Sequence, residues 1–368
     1  MGRGQVYPAE GHSFVDDATG AHLRQVTSQA SIHHHPFYYI PAYDDAMRHL
    51  VFVSHRSGRP ELFLERRESG ELLQLTEHDG LHEYSIHPSH DGRFVYFTSD
   101  TGAWRVDTDA CDEELVLAFD TPDLSHGGEP GNAGGTTALS YDDAWWAVVV
   151  GVGDRKRLVV IDLARGAAEV ILERAAIGHP QFHPRDARLL RYAGRYDERM
   201  WTVRRDGTGN QLAYERQGKE WIVHETWHPR RRELLTTRWP HGVIGVDIDT
   251  GTVRTVCRLN AWHPMINADG TRMVTDTTFP DRGLQLFDPE GESEPQLLCT
   301  SASSNVGSHW DTDHCPYDDG PVKVDSLQHT HPHPSFSPDG RRVVFTSDRS
   351  GHAQVYECEV PAQEGEDG

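Results

Sequence analysis

The chain of 368 residues carries 57 acidic against 35 basic side chains, a formal charge of −22, with 36% hydrophobic residues and nine tryptophans. This charge excludes non-specific binding to nucleic acid or to an anionic membrane surface, and any anionic ligand must find a local basic pocket. The hydrophobic and aromatic content is enough for a sizeable core, which excludes a disordered chain.

Taken from the start, MGRGQVYPAEGHSFVDD has no apolar core of the kind a secretory signal needs. No later stretch approaches the ~20 apolar residues of a membrane span, so the expectation is a cytoplasmic protein with no membrane partner. The segment Ser13 to Ser28, containing ATGAHLRQVTS, reads as outer β-strands without an inner strand of their own.

Further along, a turn recurs seven times: Tyr43-Asp44-Asp45, Ser89-His90-Asp91-Gly92, Tyr141-Asp142-Asp143, Pro184-Arg185-Asp186, Pro229-Arg230-Arg231, Ala268-Asp269-Gly270 and Pro338-Asp339-Gly340. A short apolar run follows each one, such as HLVFVS, FVYFTSD or WWAVVVG, and then a second β-like segment. The interval is mostly that of a four-stranded blade, roughly 40 to 45 residues, and helical periodicity is nearly absent. The pattern predicts an all-β, seven-bladed β-propeller forming a single domain over residues 1–368. Its blades are expected near 37–80, 81–125, 126–175, 176–220, 221–260, 261–300 and 328–362. The N-terminal segment 13–28 is expected to join the last blade, closing the ring and removing a free sheet edge.

The interval before the last turn is longer. The excess, residues 301–327, is rich in Ser, Asp and Gly and reads as an inserted loop. The five cysteines, Cys111, Cys257, Cys299, Cys315 and Cys358, are scattered without CxxC spacing and read as reduced, mostly buried thiols.

In a propeller the first strand of each blade lines the central channel, so residues at the starts of those strands converge on one mouth. These positions hold His179, His224, His263 and His331 with His333, and the first blade adds His33, His34 and His35. A lone histidine there would bond the backbone of a neighbouring blade. The cluster points instead to a metal, since neutral imidazole is the commonest nitrogen ligand. His331 and His333 alternate on one strand and can both face the channel. With His263 and the amide oxygen of Gln328 they make a mixed nitrogen and oxygen shell suited to a mid-row divalent ion such as manganese.

Other motifs carry less. His224-Glu225-Thr226-Trp227-His228 matches HExxH but precedes Pro229 in a β-rich repeat, where the helical spacing of a zinc protease does not apply. No G-x-S-x-G elbow, P-loop or dinucleotide fingerprint occurs. Gly127, Gly128, Gly134 and Gly135 read as loop glycines.

The ordered set HHHPFYYIPAYDD, LVFVSHRSGRPELF, ERMW, HETW, AWHPMINADG and QHTHPHPSFSPDG, preceded by the VTS segment, resembles the oligogalacturonate lyases, a seven-bladed propeller family of polysaccharide lyases. The resemblance covers most of the chain. It implies cytoplasmic cleavage of short galacturonate oligomers from pectin by metal-assisted β-elimination to 4,5-unsaturated uronides, with manganese as the usual ion. By position, Gln328, His331, His333 and His263 resemble the metal ligands, His224 the catalytic base and Arg199 the arginine beside it.

That chemistry needs these residue types. The C5 proton of a uronate is acidic only when the adjacent carboxylate is neutralised, which a divalent cation does. A neutral histidine can then take the proton, and the planar fork of Arg199 can pair a carboxylate. Without the resemblance, Arg199 would read equally well as a surface ion pair with Asp197 or Glu198. Two departures from the family pattern leave the uronide and its length open: YAGRYDERMW is shorter than the corresponding family segment, and Val223 stands before His224 where the family has glycine. The rival readings are a non-catalytic Tol-type or WD-like scaffold, which predicts a plain channel mouth, and a propeller hydrolase with a similar metal.

Overall fold

Six of the seven turn anchors close a pair of antiparallel strands and the first, at Tyr43, closes an isolated antiparallel bridge to Leu50, in a computed structural model that describes residues 2–291, 294–304 and 330–362. All regular structure among the described residues is β. Three of the turns share one device. Ser89, Ser140 and Ser337 each donate a hydroxyl to the aspartate two residues on, and each accepts at 3.0 Å the amide of the residue opening the next strand. Gly92 and Gly340 follow with φ of 72° and 69°, a left-handed conformation that a side chain would strain.

Seven blade sheets follow one another in chain order, and a separate two-stranded pair, Ser125–His126 with Glu129–Pro130, stands between the second and the third. The second runs from the inner pair His87–Pro88 through Phe94–Ser99 and Gly102–Asp107 to Glu113–Ala118, and the fifth from Trp221–Trp227 through Glu233–Trp239 and Gly242–Asp247 to Val253–Cys257. In the last sheet Ser335–Phe336, Arg342–Ser347 and Gln354–Glu359 are continued by His22–Gln25 and His12–Val15. The N-terminal segment therefore closes the ring. A further short strand, Val6–Tyr7, extends the first sheet by pairing with Leu72–Gln74, and the inner strand of that sheet is His33–His34, ahead of the expected 37–80 span.

The core lies between the blades. Seven apolar clusters each join two successive sheets, from Val51, Leu62, Val95 and Phe97 between the first and second to Tyr43, Phe52, Val344 and Val355 between the last and the first. The last-to-first junction also carries buried charge. Arg24 and Arg67 both pair with Glu65 and Glu357, and Tyr43 donates to Glu357 at 2.8 Å. The described cysteines, Cys111, Cys257, Cys299 and Cys358, are buried free thiols. Cys315 and most of the 301–327 insertion lie outside the described residues.

The channel is filled from the first blade. Phe37 and Ile40 close a turn, with the Ile40 amide donating to the Phe37 carbonyl at 2.7 Å. Tyr38 donates to the Glu225 carbonyl of the fifth blade at 2.9 Å, and Tyr39 to Thr136 of the third at 2.6 Å. Phe37 lies against Tyr84, His179, His263 and His333 from the second, fourth, sixth and seventh blades. One short segment thus forms the floor of the mouth where the inner strands begin.

Candidate metal centre at the channel mouth

Three of the expected ligands meet on this floor. His263, His331 and His333 bring ring nitrogens within 4.8 Å of one another. The His263 and His333 rings are 4.2 Å apart, and those of His331 and His333 are stacked at 5.5 Å. The expected strand alternation is not how the last two come together. Residues 330–334 form no strand, because Pro332 and Pro334 withhold two ladder amides. His333 instead adopts a left-handed φ of 48°. Its carbonyl is gripped by His35, whose Nε2 donates at 2.7 Å while its Nδ1 accepts from Thr346 at 2.8 Å.

The sixth blade supplies a partner that the sequence did not flag. Asp276, fully buried, accepts the His263 amide at 2.7 Å and His263 Nδ1–H at 2.8 Å. That fixes the tautomer and leaves Nε2 as the lone pair for a metal, the usual carboxylate–histidine–metal arrangement. Burial pushes the Asp276 carboxyl up to about 7, against the hydrogen bonds it accepts from His263 and from the His333 amide. Three imidazoles that meet in this way, one with its tautomer fixed, fit a divalent transition ion. Gln328 lies outside the described residues. Just beyond it, the Thr330 amide donates to the Ser304 carbonyl at 3.0 Å, and Ser304 is held by Asp348.

His224 stands beside the triad without joining it. Its ring is 4.2 Å from that of His263, and its Nδ1–H donates to the Trp262 carbonyl at 2.7 Å, so Nε2 carries the lone pair. Burial, followed by the neighbouring His263, lowers its pKa well below the ordinary value and keeps the ring neutral. Its φ of 56° and the register shift between Val223 and Thr226 mark a bulge. HETWH lies in a β-strand and the turn after it, as the rejection of the helical HExxH reading requires.

Arg199 pairs with neither Asp197 nor Glu198. Its Nε donates at 2.8 Å to Glu225, a buried carboxylate that also takes Arg191 at 2.8 Å. The surface pairing fails because Arg199 turns inward, and it is Arg195 that meets Asp197. Burial opposes the charge of Glu225, but Arg199 and Arg191 hold its carboxyl down to about 2. Arg199 Nη2 is 3.3 Å from His179 Nδ1. Burial and the nearby Arg199 push His179 down to about 3.

A cleft of about 580 Å³ opens beside this arginine. Besides Arg199 and His179 it is lined by Lys156, Arg195 and Arg216, with Asp197 as its one carboxylate. On a chain of net charge −22 this is the local basic pocket that an anionic ligand requires. No sequence pattern marks it, since its cations come from the third blade, the fourth, and the connection to the fifth. Of the three N-terminal histidines, His33 is buried and donates to the Gln29 carbonyl, His34 meets Glu83, and His35 supports His333.

Residues 151–364 match the model of the oligogalacturonate lyase family. The oligogalacturonide lyase of Pectobacterium atrosepticum is 26% identical, over 98% of this chain and 99% of the relative. The oligogalacturonate lyase of Dickeya dadantii is 26% identical over the same shares. Among solved structures, a crystal structure of oligogalacturonate lyase from Vibrio parahaemolyticus superposes with a TM-score of 0.79 at 23% identity, covering 98% of this chain and 99% of the other. An oligogalacturonate lyase in complex with manganese gives 0.81 at 23% identity, with the same coverage. At that identity both bear on the fold, which they share with this chain.

Proposed function

The chain belongs to the oligogalacturonate lyase family, and from that premise we propose that it cleaves short galacturonate oligomers by β-elimination, releasing 4,5-unsaturated uronides. The observation that carries the reading is the placement of His224, a neutral imidazole with its tautomer fixed, beside the His263, His331 and His333 nitrogens.

In this reading the triad, with Gln328 as a fourth ligand, would hold a divalent cation such as manganese. When bound, such an ion supplies Lewis-acid neutralisation of a uronate carboxylate. The protein groups do the rest. The basic cleft draws in the polyanion, and the bond from Arg199 Nε to Glu225 holds the guanidinium at the edge of the cleft, where it can pair a substrate carboxylate. His224 Nε2 takes the C5 proton, and the Trp262 carbonyl steadies the imidazolium through Nδ1–H. Electrons from the C5–H bond form the C4–C5 double bond as the C4–O bond breaks, the leaving oxygen takes up a proton to become a hydroxyl, and His224 later releases its own, so no water is consumed.

The test is the ultraviolet absorbance of digalacturonate and trigalacturonate incubated with the protein, with added manganese and with a chelator. Elimination leaves a double bond conjugated to the carboxylate, which hydrolysis cannot produce. A metal-dependent rise is expected. Chain cleavage without a rise would instead establish a hydrolase.

A further inference from the structure

Away from the centre described above, three potential metal-binding side chains converge where the first blade meets the second. His34 lies on the inner strand His33–His34, His55 follows the adjacent strand His49–Ser54, and Glu83 belongs to the segment leading into the second blade. The ladder pairs His34 with Val53, and the His55 amide donates to the Ile32 carbonyl at 2.9 Å, so the backbone itself brings the two imidazoles together. Both Nε2 atoms stand 2.8 Å from the same oxygen, Glu83 Oε2, and all three ligand atoms lie within 4.8 Å of one another.

His34 cannot satisfy its surroundings as a neutral ring. Its Nδ1 is 3.1 Å from the His35 carbonyl and its Nε2 is 2.8 Å from the carboxylate, so both nitrogens face acceptors. A neutral imidazole has one N–H, so the second nitrogen needs either an added proton or a metal ion. With Nδ1–H on the carbonyl, Nε2 carries the lone pair a metal takes, and the carbonyl fixes the tautomer as at well-formed metal sites.

We infer that His34, His55 and Glu83 form a second divalent-metal site, with two imidazoles and one carboxylate suited to zinc or a neighbouring first-row ion. Bonds of ~2.0–2.1 Å hold tetrahedral ligands roughly 3.3–3.4 Å apart, so the three donors need move by only about an ångström. Burial opposes a charge on Glu83, but the His34 and His55 rings hold its carboxyl below its ordinary range. Its side chain is 33% exposed, which leaves the remaining position open to water or an anionic oxygen. The site adjoins the first centre through a line of rings: His34 packs on Tyr84 at 5.5 Å, and Tyr84 on His333 at 6.3 Å.

This inference does not depend on the proposed reaction, and metal content tests it without an activity assay. Metal-free protein is loaded with Zn²⁺ or Co²⁺, desalted, and its metal per chain counted by plasma mass spectrometry, with the visible cobalt spectrum as a second readout. Two equivalents are expected in the unmodified protein, one in His55→Gln and in Glu83→Gln, and one in His331→Ala. A single equivalent that His55→Gln removes and His331→Ala keeps would support this site and sink the ligand assignment at the first. A single equivalent that His331→Ala abolishes would overturn the inference, leaving a proton-bonded cluster, as would two equivalents persisting in both His55→Gln and Glu83→Gln. The count on the unmodified protein requires no variant to fold.

Discussion

His224 and Glu225 are consecutive residues that serve opposite neighbours: His224 donates to Trp262 of the sixth blade, and Glu225 accepts Arg191 and Arg199 of the fourth. The bulge in this strand therefore places a base and the anchor of an arginine within one dipeptide. If His224 takes the proton, His224→Ala keeps its metal and loses turnover by about 10²–10⁴, the range for general base catalysis. His331→Ala loses the metal of the channel mouth, one equivalent of two, and turnover with it. Metal content measured beside kcat separates the two, and loss of metal from His224→Ala would make that residue a ligand.

The arginines that share Glu225 differ in role. Arg191 is fully buried and also donates to the Glu225 carbonyl at 2.7 Å. Arg191→Ala strands part of a buried charge and is expected to cost about 3–5 kcal/mol, read from urea unfolding. Arg199→Lys leaves Arg191 on the carboxylate and keeps a cation near it. Little change in stability is expected, with turnover down at least about tenfold because the planar fork is lost. A defect confined to stability would make Arg199 a structural ion pair.

The fold was legible because its signals are local. Ser-x-Asp turns and the short apolar runs after them repeat along the chain, and the ring closure followed from strands at the N-terminus that lacked an inner partner. The convergence of His263, His331 and His333 was legible because histidine near a strand start is a positional signal that survives without coordinates. Asp276 was not, since it directly follows the second strand of its blade, Met273–Thr275, in a run, RMVTDTT, that reads as ordinary β-structure. The Phe37–Tyr39 floor and the basic cleft were also hidden. Each is assembled from several blades, and no spacing in one segment records a convergence of that kind. The left-handed backbone at His179, His224 and His333 was equally invisible, because glycine, the usual marker of such geometry, is absent there.

The cleft supplies a prediction about charge. Lys156 and Arg216 line it without touching the triad, so Lys156→Ala combined with Arg216→Ala is expected to raise KM for trigalacturonate several-fold and leave kcat within about twofold. Added salt should weaken binding to the unmodified protein and have less effect on the variant, since screening acts on the same charges. An unchanged KM and an unchanged salt response would remove these residues from the binding path.

Acid sensitivity follows from buried histidines that belong to neither histidine cluster. Burial pushes His87 and His228 down to about 4, with Arg231 adding to the effect at His228. His228 Nδ1 accepts the Arg230 amide at 3.1 Å, a bond that protonation would break. The unfolded imidazole titrates near ~6.5, so above that pH both states are neutral and stability does not depend on these rings. As pH falls from about 6.5 toward 4, the unfolded chain binds protons that the folded one refuses, and stability is lost. Each ring adds a slope approaching about 1.4 kcal/mol per pH unit. His90 works in reverse, because its bond to Asp143 raises its pKa despite burial and so favours the folded state on acidification. The urea midpoint should therefore fall between pH 7 and 5, and His228→Gln should flatten that fall by about one proton. If the variant shows the same slope as the unmodified protein, His228 is not buried as a neutral ring.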